Sequence, residues 1–367
     1  MKYKIPAARP DLDETELENV KDAVASGWVS SKGPFIEEFE IEFSKYIGAE
    51  HGIAASNGTV ALHLALTALG IGPGHEVLVP SLTFIAAANA VTYTGARPVF
   101  VESHPEYWCM DPEAVKKSIT DKTKAVLLVH LYGHPCDLDP ILEVARERKL
   151  LIIEDCAEAH GAEYNGKRVG SFADVSCFSF YGNKIITTGE GGMCLTNSRG
   201  LAEKMRILRD HGMNPTRRYW HDVIGFNYRM TNLQAALGVA QLKKIDRLVE
   251  RKREIAKNYR ELLAQAADIV QPPEMHWAKN VYWFYSVLLN PKVRDSVMTH
   301  LDQEGIETRP FFFPIHTLPP YRHGLKLPVA EELSTRGLNL PSGPKISDDE
   351  IQYVASALKN ALRMPKA

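Results

Sequence analysis

From about residue 50 to 200 the chain alternates short apolar runs with segments of helical periodicity, and this pattern constrains the fold more than anything else in it. "GIAAS" leads into "GTVALHLALTALG", "EVLVP" into "TFIAAANAVTYTG", and "RPVFV" into "DPEAVKKSI". "KAVLLVH" precedes "DPILEVARERK", and "LLIIED" follows. Strand–helix units of this length predict a mainly parallel sheet covered by helices on both faces. On such sheets ligands bind at the carboxyl ends of strands, beside helix N-termini. The tails of the apolar runs are therefore where chemistry is expected.

The long stretch "TNLQAALGVAQLKKIDRLVERKREIAKNYRELLAQA" repeats apolar residues at three and four, and its other face is charged, as suits one helix linking two domains. "QPPEMHW" breaks it. Beyond that, "VYWFYSVLL" and "ETRPFFF" predict strands, while "VRDSVMTHLDQEG" and "SDDEIQYVASALKNAL" predict helices. The expected organisation is a large α/β domain over 1–245, with an N-terminal arm, and a smaller α+β domain over 246–367. A chain of 367 residues with 45% hydrophobic content can bury one large core and one small one. A formal charge of −2 without a basic run argues against nucleic acid as a partner. No apolar core of signal-peptide length and no run of about twenty apolar residues occurs, so a cytoplasmic protein without a membrane partner is expected. The five cysteines contain no C-x-x-C pair, which predicts reduced thiols and no bound metal.

Three places could carry chemistry. At Asn57-Gly58-Thr59 a small-residue turn opens an apolar helix. Gly58 would let a ligand approach the backbone, and the free amides of the first turn favour a phosphate. By itself that motif is equally an ordinary strand–helix turn. In "LLIIEDCAEAHGAEY" four apolar residues deliver Glu154 and Asp155 to a strand end, with Glu158 three positions on. Asp155 is a candidate to pair with a cationic ring nitrogen, although a carboxylate at a helix start has the same signature. His160 reads as a structural histidine. In "DVSCFSFYGNKIITTGEGGM" Ser179 ends a strand and Lys184 lies between that strand and a glycine-rich turn. A buried ammonium is costly unless it is paired, neutralised or bonded covalently. A phosphate turn, a strand-end acid and a semi-buried lysine together fit pyridoxal 5'-phosphate, whose aldehyde would bond to the lysine.

"ASNGTVALHLAL", "EDCAEAHGA", "SFYGNKIITTGEGGM" and "GFNYRMTNLQAALGVAQL" together resemble the DegT/DnrJ/EryC1 sugar aminotransferases, over roughly residue 5 to the C-terminus. The resemblance implies the fold type I architecture of aspartate aminotransferase, with a mainly parallel sheet of the seven-stranded type and a smaller C-terminal α+β domain. It makes Lys184 the Schiff-base lysine and Asp155 the acid that keeps the pyridine nitrogen protonated. Glu158 matches the position near the ring hydroxyl, and Phe84 the aromatic stacked on the ring. Gly58, Thr59 and Ser179 match the phosphate cup. Asn227 matches an asparagine that reaches the phosphate from a neighbouring subunit, which implies a homodimer with shared active sites.

In this family a histidine in place of the lysine marks a dehydrating branch, so the lysine implies transamination. The expected donor is L-glutamate and the expected acceptor a nucleotide-linked 4-keto-6-deoxy sugar. "SFYGNK", "YWHDVIGFNYRMTN", "HLYGHPCDLDPI" and "ETRPFFFPIHTLPPY" resemble most the members of the family that act on GDP-4-keto-6-deoxy-D-mannose, and that resemblance implies this acceptor, with UDP- or dTDP-linked sugars as alternatives. Trp28, Ser30, Arg218, Tyr219 and His316, all in expected loops, are the candidate substrate contacts. A non-catalytic sensor on the same fold is the rival reading. It would be expected to carry a DNA-binding domain or a basic helix, and the sequence shows neither.

Overall fold

Seven strands build the central sheet: β1 (His51–Ala55), β2 (Glu76–Pro80), β3 (Arg97–Val101), β4 (Thr123–Val129), β5 (Leu151–Asp155), β6 (Val175–Ser179) and β7 (Gly192–Thr196). Their order is β1-β7-β6-β5-β4-β2-β3, in a computed structural model that describes residues 3–363. Strands β3, β2, β4, β5 and β6 are parallel, and β7 runs antiparallel between β6 and β1. Because both faces are buried, each strand reads as a continuous apolar run, and only its alternate residues separate the two faces. In β4, Ala125, Leu127 and Val129 enter one core, while Val126 and Leu128 enter the other.

The helices in chain order begin with α1 (Glu14–Ala25), α2 (Pro34–Ile47), α3 (Gly58–Ala68), α4 (Ala86–Tyr93), α5 (Pro112–Ser118) and α6 (Leu138–Arg148). Then come α7 (Arg199–Arg209), α8 (Asn232–Leu242) and α9 (Ile245–Leu263). One face of the sheet is covered by α3, α4 and α7, through residues such as Leu64, Val91 and Met205. The other is covered by α2, α6 and α8, through Phe39, Phe43, Ile141 and Val239. Helix α3 begins where β1 ends, and its N-cap Asn57 takes the Val60 amide on its side chain at 3.0 Å.

A second sheet, of β8 (Tyr285–Leu288), β9 (Arg309–Pro310) and β10 (Gly337–Leu340), is antiparallel with β10 in the middle. It packs with α10 (Arg294–Gln303) and α12 (Asp348–Arg363), and α11 (Pro328–Arg336) precedes β10. The third apolar cluster lies here, around Val287, Leu301, Leu338, Val354 and Leu358.

Three local expectations change. The stretch read as one long helix is two, because Lys244 leaves helical geometry (φ −117°, ψ 12°) and sends its ammonium to Asp13 and Glu16 at 2.8 and 2.7 Å. Helix α9 then spans both units, with Leu248 and Val249 in a sheet core and Ile255 and Tyr259 in the third cluster. The strand expected throughout "VYWFYSVLL" starts only at Tyr285, since Val281 and Trp283 donate their amides to Gly133 and Tyr132 of the large unit instead. Finally, the N-terminal segment assigned to the large domain bridges across. Ile5 pairs with Ile306 and is buried in the third cluster. Among the described residues no helix is long and apolar enough to cross a membrane.

Candidate active site

The carboxyl ends of β5 and β6, the turn after β1 and the start of β7 converge on a cavity of about 680 Å³. Backbones approach closely here. A Cβ on Gly58 would lie 2.8 Å from the Ser179 Cβ, and one on Gly192 would collide with the Asn57 carbonyl. The glycines therefore let three chain segments meet and leave polar atoms facing the gap. The Asn57 cap takes the Val60 amide, and among the described residues the first-turn amides of Gly58 and Thr59, beside the Ser179 hydroxyl, have no acceptor. That donor set suits a phosphate at the positive end of α3.

Across the cavity lie three ionisable side chains. Asp155 ends β5, is buried, and accepts the Ala157 amide on Oδ1 at 3.0 Å. Burial raises its pKa, against the pull of Lys184, so a cation facing it would recover that cost. Glu158 accepts the Tyr132 amide on Oε2 at 2.7 Å, and burial pushes its carboxyl up to about 7. Lys184 places Nζ 4.0 Å from Glu158 Oε1, and burial lowers its pKa while Glu158 and Asp155 work to raise it. Burial thus disfavours the charged form of both the acid and the amine, which suits proton transfer at this site. Tyr132 holds its amide towards Glu158 in left-handed geometry (φ 53°), a conformation that costs a bulky residue about 1–2 kcal/mol.

Gly58, Thr59, Phe84, Asp155, Glu158, Ser179 and Lys184 all line this one cavity. Phe84 is 56% exposed there, with its ring 5.8 Å from that of Phe312, and so offers an apolar face to a planar ligand. Phosphate donors at one end, a buried acid at the other, an aromatic wall and a lysine between them fit pyridoxal 5'-phosphate.

The other candidates lie elsewhere. Asn227 is exposed, accepts from Arg229 at 2.7 Å and does not line the cavity of its own chain. Trp28 and Ser30 are exposed, and their carbonyls anchor Asn232 at the start of α8. Arg218 and Tyr219 line a separate cavity of about 600 Å³. His316, expected in a substrate-facing loop, is 2% exposed. Its Nδ1 lies 2.6 Å from the Ser81 hydroxyl and its Nε2 3.1 Å from Glu331, so within this chain it joins a strand end to α11 rather than meeting a ligand. His160 is buried among Phe43, Phe178 and Phe180, and burial drops its pKa to about 3.

His130, Glu154 and Cys156 bring potential metal ligands within 4.8 Å of one another. The protein itself uses those atoms. Glu154 takes the amides of Gly170, Phe172 and Ala173 as well as His130 Nε2, and His130 Nδ1 takes the Cys136 amide.

Sequence reasoning missed Trp283 and Arg309, which reach the cavity from the second unit. Trp283 lies in an aromatic run that reads as core. A lone arginine beside "PFFF" was the visible signal for Arg309.

The DegT/DnrJ/EryC1/StrS aminotransferase family matches residues 10–359. The chain is 50% identical over 365 residues to the GDP-perosamine synthase of Caulobacter vibrioides, covering 98% of each chain. It is 48% identical over 360 residues to the GDP-perosamine synthase of Escherichia coli O157:H7, again with 98% of each covered. Among solved structures, the aminotransferase TlmJ from Streptoalloteichus hindustanus superposes with a TM-score of 0.94 at 34% identity, over 98% of each chain.

Proposed function

We propose that this chain, which belongs to the DegT/DnrJ/EryC1/StrS aminotransferase family and is a pyridoxal 5'-phosphate-dependent transaminase, makes GDP-perosamine. It moves the amino group of L-glutamate to C4 of GDP-4-keto-6-deoxy-D-mannose. The observation that carries the chemistry is the buried Lys184–Glu158–Asp155 group in one cavity with the open donors of Gly58, Thr59 and Ser179. The substrate is supported by the names of the two relatives.

When bound, the cofactor supplies the aldehyde that takes up and returns nitrogen, and a ring that accepts an electron pair. The chain does the rest. The Gly58 and Thr59 amides and the Thr59 and Ser179 hydroxyls would hold the phosphate. Asp155, ionised against a cationic ring nitrogen, would keep that nitrogen protonated. Phe84 would offer its face to the ring, and Glu158 would serve the ring hydroxyl. Lys184 Nζ would be the covalent anchor and, once free, would take a proton from, or return it to, the substrate carbon that loses or gains nitrogen. Its burial lowers its pKa and so enlarges the neutral, basic fraction of the amine.

A homodimer would complete the site. Tyr219, Trp220, Val223 and Ile224 form an exposed apolar loop, with Ile224 at 92% exposure, beside Arg218 and Asn227. Such a loop is suited to burial against a second copy. On this reading Asn227 reaches the neighbour's phosphate, and Arg218 and Tyr219 its sugar nucleotide.

GDP-, UDP- and dTDP-linked 4-keto-6-deoxy sugars offered with glutamate, with products identified by mass and NMR, test the reading. GDP-perosamine should dominate. Faster turnover of a UDP or dTDP sugar would overturn the substrate assignment, and no amino sugar from any of them would overturn the activity.

A further inference from the structure

Lys184 has no hydrogen-bond acceptor for its Nζ among the described residues. Glu158 stands off at 4.0 Å, and the ammonium lies over the face of an indole, with Nζ 3.9 Å from the Trp283 ring centroid. That indole is fixed from several sides. Its N–H donates to the carbonyl of Asn183, the residue before Lys184, at 2.8 Å. Its amide donates to the Tyr132 carbonyl at 2.9 Å, and the Tyr132 ring lies nearly parallel to it, 6.3 Å away. Its own carbonyl accepts from Lys252 Nζ at 2.7 Å, and Lys252 donates again to the Ser342 carbonyl at 2.5 Å. Two buried ammonium groups therefore flank Trp283. One is tied by carbonyls, and the other only rests on a π face.

We propose that Trp283 is a positioning residue for Lys184: its indole face holds the Nζ ammonium whenever that amine is free, the Asn183 carbonyl fixes the indole, and Lys252 fixes the Trp283 backbone. A carbonyl acceptor would bind the ammonium directionally and would be left unpaired each time the amine moved to carbon. A π face attracts a cation without a fixed bond direction and loses no partner when the cation leaves. An amine that must alternately bond and be released is better kept on the second kind of surface. The consequence for turnover rests on the aminotransferase reading, whereas the geometry does not.

The charged and titratable groups facing Lys184 are Asp155 and Glu158 at the sheet end, Arg309 from the second unit and His160 beneath. Lys252 shares a small cavity wall with it. Of these contacts only the one with Trp283 depends on ring electron density, and that isolates it experimentally.

Full-length apoprotein is prepared with its tryptophans replaced by mono-, di- and trifluorotryptophan, which keep the ring shape and drain its π face. Reductive methylation of Lys184, followed by peptide mass across pH, gives the amine's apparent pKa. The expected result is a stepwise fall with each fluorine, about one unit over the series. In Trp283→Phe protein the same labels should produce no trend. An unchanged pKa across the series overturns the proposal, as does a trend that survives in Trp283→Phe. The isosteric labels answer the question even if that variant folds poorly. Because the labelling needs no turnover, failure to react with glutamate would sink the enzyme reading and leave this one standing.

Discussion

Replacing Lys252 with Met should make the stability gap between wild type and variant depend on pH in a calculable way. Lys252 is 4% exposed, and burial lowers its ammonium from 10.5 to about 7. A lysine whose native pKa is depressed contributes nothing above the unfolded value. Its cost grows as pH falls from 10.5 towards 7 and levels off below that, because there both states are protonated. Integrating between pH 7 and pH 9 gives wild type a gain of about 2 kcal/mol that the methionine variant cannot share. The two carbonyl bonds of Lys252 favour the charged form and reduce the figure, so a gain of about 1–2 kcal/mol is expected. The variant also strands the carbonyls of Trp283 and Ser342, at about 1–3 kcal/mol each, but that penalty is flat in pH. Equilibrium urea unfolding of both apoproteins at pH 7, 8 and 9, at one protein concentration, separates the two effects. The wild-type advantage should widen with pH. Parallel curves would mean that Lys252 keeps an ordinary pKa and that its burial costs nothing of this size.

Lys184→Ala should lose at least about a thousandfold in amino-sugar formation while its far-UV dichroism stays native, since it removes anchor and proton carrier together. Gly58→Ala would put a methyl 2.8 Å from the Ser179 Cβ, so pyridoxal 5'-phosphate should bind at least about tenfold more weakly by equilibrium dialysis. Asp155→Asn should still bind the coenzyme but turn over at least about a hundredfold more slowly in single-turnover assays with glutamate, for want of a charge to hold the ring proton. Glu158→Gln removes the acid that raises the Lys184 pKa, so the amine should be methylated faster than in wild type at pH 8.

The sheet was readable in the sequence because burial on both faces turns every strand into an apolar run, and β1 to β7 fall where those runs are. Lys184, Asp155, Ser179 and the Asn57-Gly58-Thr59 turn were readable for a related reason. Asp155 and Ser179 end their runs, the Asn57-Gly58-Thr59 turn follows β1 directly, and Lys184 comes a few residues after Ser179, so local pattern places all of them near the edge where parallel strands stop. Trp283 has no such address. Its bond to the Asn183 carbonyl spans 100 residues, and nothing in "VYWFYSVLL" tells an aromatic facing a cavity from one facing a core. His316 is the converse: the loop composition was right, but the chain folds the ring between Ser81 and Glu331, where it is spent on packing.

The split between long helix and short strand has the same origin. Lys244 breaks the helical run because Asp13 and Glu16 wait for its ammonium, and the strand before Tyr285 is lost because Tyr132 and Gly133 take its amides. In both places a contact between distant segments outcompetes a local preference worth a few tenths of a kcal/mol per residue. The second of these contacts also brings Trp283 to the cavity wall. What the second unit contributes to Lys184 is therefore set by packing between the two units, while what the sheet contributes is written into each strand.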